Sequence, residues 1–215
     1  MKPRRTQAFL FDFDGTLIDS LRVTIDAFKQ GVDSVGYGPA TDEQVRKHFG
    51  AGELQIFRKI VGPDLADAAY SAYREYALGR AAHMPLHRGV REVLFDLREQ
   101  GLTLGIVTGR GRDSTQALLA HHDLRALFDI VVTDDDVSSP KPDPAGLRLA
   151  LSQLNQEPSQ ALYIGDTWAD IRAAHQAGIR AIGARWDLLA DFRPLGAEEQ
   201  PERWLNHPRE ILCLT

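Results

Sequence analysis

At 215 residues the chain can bury one substantial core, or one core with a small second module. It is 43% hydrophobic and 26% charged, as globular proteins are, and its net charge of −5 leaves no overall basic footprint for nucleic acid. Its one cysteine, Cys213, excludes a disulfide framework and a cysteine-based zinc site, and implies a reducing, cytoplasmic setting. The opening MKPRRTQAFLF reaches Asp12 too soon for a signal peptide or a membrane span. No nucleic-acid partner and no membrane partner is expected, and the chain is expected as a monomer or homodimer.

Ala8 to Phe11 reads as a short buried strand, apolar throughout and stopped by a turn signal. From Leu17 the period changes: Leu17, Leu21, Ile25, Phe28, Val32 and Val35 recur every three or four residues, which predicts a helix. Gly36, Gly38 and Pro39 break it, and Thr41-Asp42-Glu43-Gln44 reads as a capping box opening the next helix. Helical patterns continue over Leu54–Val61 and Leu65–Ala82. Past Met84-Pro85, a stripe of Val90, Val93, Leu94 and Leu97 predicts a helix that Gly101 ends. Strands then alternate with helices: strand 102–107, helix 112–121, strand 129–133, helix 144–154, strand 161–164, helix 168–177, strand 179–184. This alternation predicts an α/β fold with a Rossmann-like parallel sheet covered on both faces. The division expected is an α/β core of residues 1–16 and 86–215 with an all-helical cap, 17–85, inserted after the first strand. Beyond Arg185-Trp186 the pattern weakens, and the tail to Thr215 carries no definite element.

Ligands of open parallel sheets sit beyond the carboxyl ends of the strands, and polar clusters fall there repeatedly. They are Asp12-Phe13-Asp14-Gly15-Thr16, Thr108-Gly109-Arg110, Asp134-Asp135-Asp136 with Ser139-Pro140-Lys141-Pro142, and Gly165-Asp166 followed by Asp170. Converging carboxylates raise one another's pKa unless a cation lies among them. Oxygen ligands without Cys or His favour Mg²⁺, which keeps positions for water and phosphate oxygens. Thr108 and Lys141 supply a hydroxyl and an ammonium for phosphate, and Gly109 allows close backbone approach. A carboxylate beside Mg²⁺ can attack phosphorus to form an aspartyl-phosphate, and a second can move the protons.

With DFDGT, VTGR, SPKPDP and GDTWAD in this order, the chain from about Phe9 to Trp186 resembles the haloacid dehalogenase-like (HAD) hydrolase superfamily. The branch it resembles is that of helical-cap phosphatases such as phosphoglycolate phosphatase. The resemblance implies that Asp12 is the nucleophile and Asp14 the general acid/base. It implies that Mg²⁺ is held by Asp12, the Asp14 backbone carbonyl and Asp166, with Asp170 orienting the metal shell, and that Thr108, Gly109 and Lys141 bind phosphate. True dehalogenases of the superfamily lack the second aspartate, so Asp14 argues for phosphate chemistry; Thr16, where its sugar phosphomutases often carry valine, tilts toward hydrolysis. The expected function is hydrolysis of a small organic phosphate monoester. The alternatives are inorganic pyrophosphate, nucleotide or sugar-phosphate chemistry of the same superfamily. A receiver-type phospho-acceptor uses a similar residue set, but its aspartyl-phosphate must persist, and Asp14 speaks against that.

Other residues divide between roles. Asp19 and Ser20 read as caps of the following helix. The Asp134–Asp136 run reads as mostly solvated, with one member reaching the metal's outer shell as the alternative. Arg110 lines the site or lies on the surface. His121-His122 reads as a helix end. Trp168 packs against the cap or stands exposed beside the site. The stretch 48–53 either selects the substrate or only connects helices, and Arg22 and Arg58 are candidates for a second anionic group.

Overall fold

The computed structural model describes residues 6–49, 52–189, 196 and 200–215. Its strands are β1 (Ala8–Phe11), β2 (Thr103–Val107), β3 (Ile130–Val132), β4 (Ala161–Gly165), β5 (Arg180–Ala184) and β6 (Arg203–Leu205). Its helices are α1 (Leu21–Ser34), α2 (Asp42–Arg46), α3 (Glu53–Ile60), α4 (Pro63–Leu78), α5 (Val90–Glu99), α6 (Arg112–His121), α7 (Ala145–Leu154) and α8 (Trp168–Ala177). The strands form one six-stranded sheet in the order β3-β2-β1-β4-β5-β6, every pair parallel. A parallel pair needs a crossover, and helices supply it in the connections from β1 through β5. The α/β class expected from the alternation is therefore the class observed.

β1 shows why its residues are apolar without alternation. Phe9 and Phe11 pack on one face with Leu94 and Leu97 of α5 and Leu118 and Leu119 of α6. Ala8 and Leu10 pack on the other with Leu147 of α7 and Ile171 of α8. With helices on both sides, neither face can be polar. β1 to β5 start and end within a residue of the sequence-based boundaries, because turn residues bound each apolar run.

Between β1 and α5 the regular elements are helical. The capping box forms as expected at the start of α2: Gln44 N donates to Thr41 Oγ1 at 3.2 Å, and Thr41 N to Gln44 Oε1 at 2.8 Å. α1 and α4 approach closely where Gly31 faces Ala69. A Cβ on Gly31 would stand 2.5 Å from the Ala69 carbonyl oxygen and 2.8 Å from the Phe57 ring. No described helix is long and apolar enough to cross a membrane.

Two expectations are corrected. Leu17 does not belong to the first helix, which begins at Leu21. Leu17 and Ile18 instead close a turn, their N–H groups donating to Phe13 O at 2.9 and 3.0 Å, and Ile18 bridges to Leu86. Both side chains are fully buried, so the apolar period continues without a continuous helix. The tail is likewise not featureless. β6 pairs with β5, and Leu205 and Ile211 are buried in the core on α5's side. Its Arg203-Trp204-Leu205 run is too short to announce a strand from sequence. Residues 190–195 and 197–199 of that tail, and residues 1–5 of the expected core, lie outside the described residues.

Candidate active site

The chain leaves β1 through a turn in which Gly15 N donates to Ile18 O at 2.9 Å. Gly15 has φ 78, and a Cβ there would lie 2.5 Å from Asp166 Oδ2. Only glycine meets both conditions cheaply. The turn thus brings the end of β1 against the end of β4, its neighbour in the sheet. Thr16 seals the contact by donating from Oγ1 to Asp166 Oδ1 at 3.0 Å. Trp186, just beyond β5, donates from Nε1 to the Thr16 carbonyl at 2.8 Å and holds the turn from the other side.

Asp12, Asp166 and Asp170 converge there, each offering an oxygen within 4.8 Å of the others. All three are buried. Lys141 inserts its ammonium among them, 2.6 Å from Asp12 Oδ1 and 2.6 Å from Asp170 Oδ1, and donates to Tyr163 Oη at 3.0 Å. Tyr163 Oη in turn donates to the Val107 carbonyl at 2.7 Å. The other Asp170 oxygen accepts from Thr167 N at 2.9 Å and Thr167 Oγ1 at 2.5 Å, in the capping box of α8. Asp170 is therefore positioned by its own helix and spent on Lys141. Asp166 differs: its Oδ2 is buried without a hydrogen-bond partner among the described residues.

One ammonium does not balance three buried carboxylates. Burial pushes the Asp12 carboxyl up to about 7, with Asp170 adding to the rise and Lys141 opposing it. Asp166 is held well above the usual carboxylate range by burial, then by Asp12 and Asp170. Lys141 moves up: burial alone would lower it, but Asp12 and Asp170 outweigh that. The unpartnered Asp166 Oδ2 and the all-oxygen donor set fit a hard divalent cation, which reverses this local pKa logic.

Asp14 is kept apart from that cluster by its own partners. Arg110 Nε lies 2.9 Å from Asp14 Oδ2, Arg110 Nη2 lies 2.7 Å from Oδ1, and Ser20 Oγ donates to Oδ1. Burial would raise Asp14, but the Arg110 charge and the hydrogen bonds from Arg110 and Ser20 leave it below the usual range. Ser20 does stand at the N-cap position of α1, yet its side chain makes no cap bond. The expected capping role is corrected: Ser20 serves Asp14, and Asp19 is exposed. Arg110 is 2% exposed, so of its two readings the buried, site-lining one holds. Sequence offered that reading without its partners, Asp14 after β1 and Thr24 on α1.

Across the cavity, Glu53 reaches from the first turn of α3 to the core. Its carboxylate accepts from Tyr73 Oη, from Tyr70 Oη at 3.1 Å and from Gly111 N at 3.2 Å. Burial raises the Glu53 pKa, against the lowering influence of Arg110. Glu53, Tyr73 and Arg110 line one cavity of ≈ 70 Å³ with Asp12, Asp14, Thr108, Gly109, Lys141 and Asp166. The residues expected at the site from sequence thus meet in one place, except that Asp170 stands behind Lys141 and is not part of that wall. Thr108 Oγ1 accepts from Arg110 N at 3.1 Å, which orients the hydroxyl at the end of β2.

The remaining candidates separate. In the acidic run, Asp135 accepts from Arg112 N at 2.6 Å and Asp136 pairs with Arg112 at 2.7 Å, while Asp134 lies half-buried against Gly52 and near Glu53. Arg22 is exposed and paired with Asp26 and Asp42 at 2.9 and 3.1 Å, and Arg58 is exposed, so neither reaches the cavity. α6 ends at His121 with His122 as its C-cap, as expected. Trp168 is half-buried in a groove lined also by Lys47, Phe49 and Lys59, which shares Phe49 and Lys141 with the cavity. Phe49 and Glu53 of the stretch 48–53 line the cavity; Gly50 and Ala51 lie outside the described residues.

Comparison with known proteins agrees with this geometry. The haloacid dehalogenase-like hydrolase family matches residues 9–184. The chain is 36% identical over 218 residues to the pyrophosphatase PpaX of Bacillus velezensis, covering 100% of this chain and 99% of that protein. It is 34% identical over 192 residues to PpaX of Listeria monocytogenes, covering 86% and 88%. Among solved structures, a candidate phosphoglycolate phosphatase from Lactobacillus plantarum superposes with a TM-score of 0.85 at 25% identity, over 98% of this chain and 100% of that one. CbbY from Rhodobacter sphaeroides, in complex with phosphate, shares the fold at a TM-score of 0.84 and 24% identity, over 96% of each chain.

Proposed function

The chain belongs to the haloacid dehalogenase-like hydrolases, and from that premise we propose that it is a Mg²⁺-dependent phosphatase acting through an aspartyl-phosphate on a small organic phosphate such as 2-phosphoglycolate. One observation carries the reading: of the buried Asp12, Asp166 and Asp170 cluster, Asp12 and Asp166, the latter with Oδ2 unpartnered among the described residues, line the same cavity as Lys141 and Thr108. Asp12, Asp166 and the Asp14 carbonyl would hold Mg²⁺, while Lys141, Thr108 and Gly109 bind the phosphate. When bound, the ion neutralises the carboxylates and draws charge from the phosphate oxygens.

An Asp12 carboxylate oxygen attacks phosphorus as the bond to the leaving oxygen breaks. Asp14 then takes a proton from water, whose oxygen attacks the same phosphorus and returns Asp12 as carboxylate with release of phosphate. Asp14 is also the group placed to protonate the leaving oxygen; its ion pair with Arg110 favours the base role over the acid role. Lys141 keeps Asp12 oriented at 2.6 Å. Tyr73 and Glu53 line the cavity's far side and help to exclude water.

We assign residues 1–16 and 86–215 to the catalytic core and 17–85 to the cap. The crossing is supported by Asp19 N donating to Pro85 O at 2.8 Å and His87 N to Leu17 O at 3.0 Å, which tie the outgoing and returning strands together. The names of the PpaX relatives favour a second reading, inorganic pyrophosphate as substrate. Phosphate release from 2-phosphoglycolate, pyrophosphate and nucleotides at saturating Mg²⁺ distinguishes them. Asp12→Asn is expected to lower turnover at least about a thousandfold, with an unchanged circular dichroism spectrum. Near wild-type turnover in that variant would sink the nucleophile assignment.

A further inference from the structure

Arg110 carries more donors than the protein uses. Its Nε and Nη2 are spent on Asp14, at 2.9 and 2.7 Å, and Nη2 also reaches Thr24 Oγ1 at 3.1 Å. Its Nη1 is buried with no hydrogen-bond partner among the described residues. The guanidinium is a rigid planar fork, so clamping one edge fixes the direction of the other. Buried polar groups of native proteins are normally satisfied, so the orphan Nη1 calls for a partner. Arg110 lines the cavity that also holds Asp12, Thr108 and Lys141.

The rest of that wall offers a leaving group little else to bind. Leu21, Phe28, Phe49 and Ile56 are apolar. Glu53 already accepts from two tyrosines and Gly111, and Lys141 is held between Asp12 and Asp170. We infer that Arg110 is a specificity-determining residue, whose Nη1 binds an anionic oxygen of the leaving group. The preferred substrates are then phosphates whose departing part is itself a small anion, a carboxylate or a second phosphate. This rests on the phosphatase reading above. A charge-assisted bond of this kind rejects an analogue lacking its acceptor, because the donor is then left buried and unpaired.

The test compares kcat/KM for 2-phosphoglycolate, inorganic pyrophosphate and 2-hydroxyethyl phosphate, which matches phosphoglycolate in size but ends in a neutral hydroxyl. The wild type is expected to prefer at least one anionic substrate about a hundredfold, and the two anionic arms tell carboxylate from phosphate. Arg110→Gln also loosens Asp14, so activity falls on every substrate; the readout is the preference ratio, expected to collapse toward unity. Arg110→Lys, with its charge kept on a flexible stem, is expected to retain part of it. If Arg110→Gln is too slow to assay, a thermal shift on adding glycolate, present in wild type and lost in the variant, reads the same contact. A wild type without anion preference overturns the inference, and so does a ratio unchanged in Arg110→Gln, which a merely structural Arg110 would give. Both results leave the phosphatase reading standing. Release of no phosphate from any of the three would overturn that reading and the inference with it.

Discussion

Asp134 sits where carboxylates crowd one another across the contact between α3 and the loop after β3. Burial, then Glu53 and Asp135, push its pKa up from 3.8 to about 6. The folded state therefore holds this proton more tightly than the unfolded one. The contribution to stability is complete below 3.8 and lost as pH rises through about 6. Asp134→Asn removes the titration, so the variant is expected to be more stable than wild type at pH 7.5, by about 1 kcal/mol after discounting for solvent screening. Thermal melts at pH 7.5 and pH 4 check this: the advantage should shrink at the lower pH, and a constant difference would mean that charge is not its cause. Residues differ in how far sequence betrays them. Asp12, Asp14, Lys141 and Asp166 stand out because a carboxylate or ammonium at the end of a buried strand has no cheap structural excuse. Arg110 and Glu53 do not stand out, since their meaning lies in partners such as Asp14, Thr24, Tyr73 and Gly111 that only folding brings near.

Elements are legible where one physical signal decides them. The buried strands β1, β2, β4 and β5 are apolar runs with turn residues behind them, and α2 announces itself through Thr41 and Gln44. The turn after Asp14 is illegible for the opposite reason. Leu17 and Ile18 are spaced as a helix would space them, yet the need to bring Gly15 against Asp166 overrides the period. Packing between elements is equally hidden. Gly31 reads as a weak point in α1, but it is what lets α1 approach α4 and the Phe28, Phe57 and Tyr73 rings meet at 4.5 to 5.7 Å. Gly31→Ala forces its methyl against the Ala69 carbonyl, and is expected to cost about 1–3 kcal/mol despite alanine's better helix propensity. A denaturant melt showing a gain in stability instead would mean that the two helices can separate without penalty.

For the whole molecule, the unbalanced charge at the sheet's carboxyl edge links metal binding to stability. A cation that binds the native cluster and not the unfolded chain stabilises by mass action, about 2.7 kcal/mol at a hundred times its dissociation constant. Saturating Mg²⁺ is accordingly expected to raise Tm by roughly 5–10 °C in a chain of this size. Asp166→Asn should abolish most of that shift while melting at or above the metal-free wild type, because it removes a buried charge that lacks a full set of partners. A Mg²⁺ shift that is unchanged in Asp166→Asn would place the ion elsewhere.

From the residues alone, the alternation of strand and helix determined a parallel α/β sheet, and the carboxylates, threonine and lysine at its strand ends determined the phosphate chemistry to look for. Both are local signals: burial on two faces imposes apolar runs, and each motif carries its own turn. Tertiary structure decided the rest. It added β6 from an unremarkable tail, turned Ser20 and Arg110 toward Asp14, and set Glu53 beside Gly111. Those contacts join residues whose types are common on protein surfaces, and burial gives them their chemical meaning.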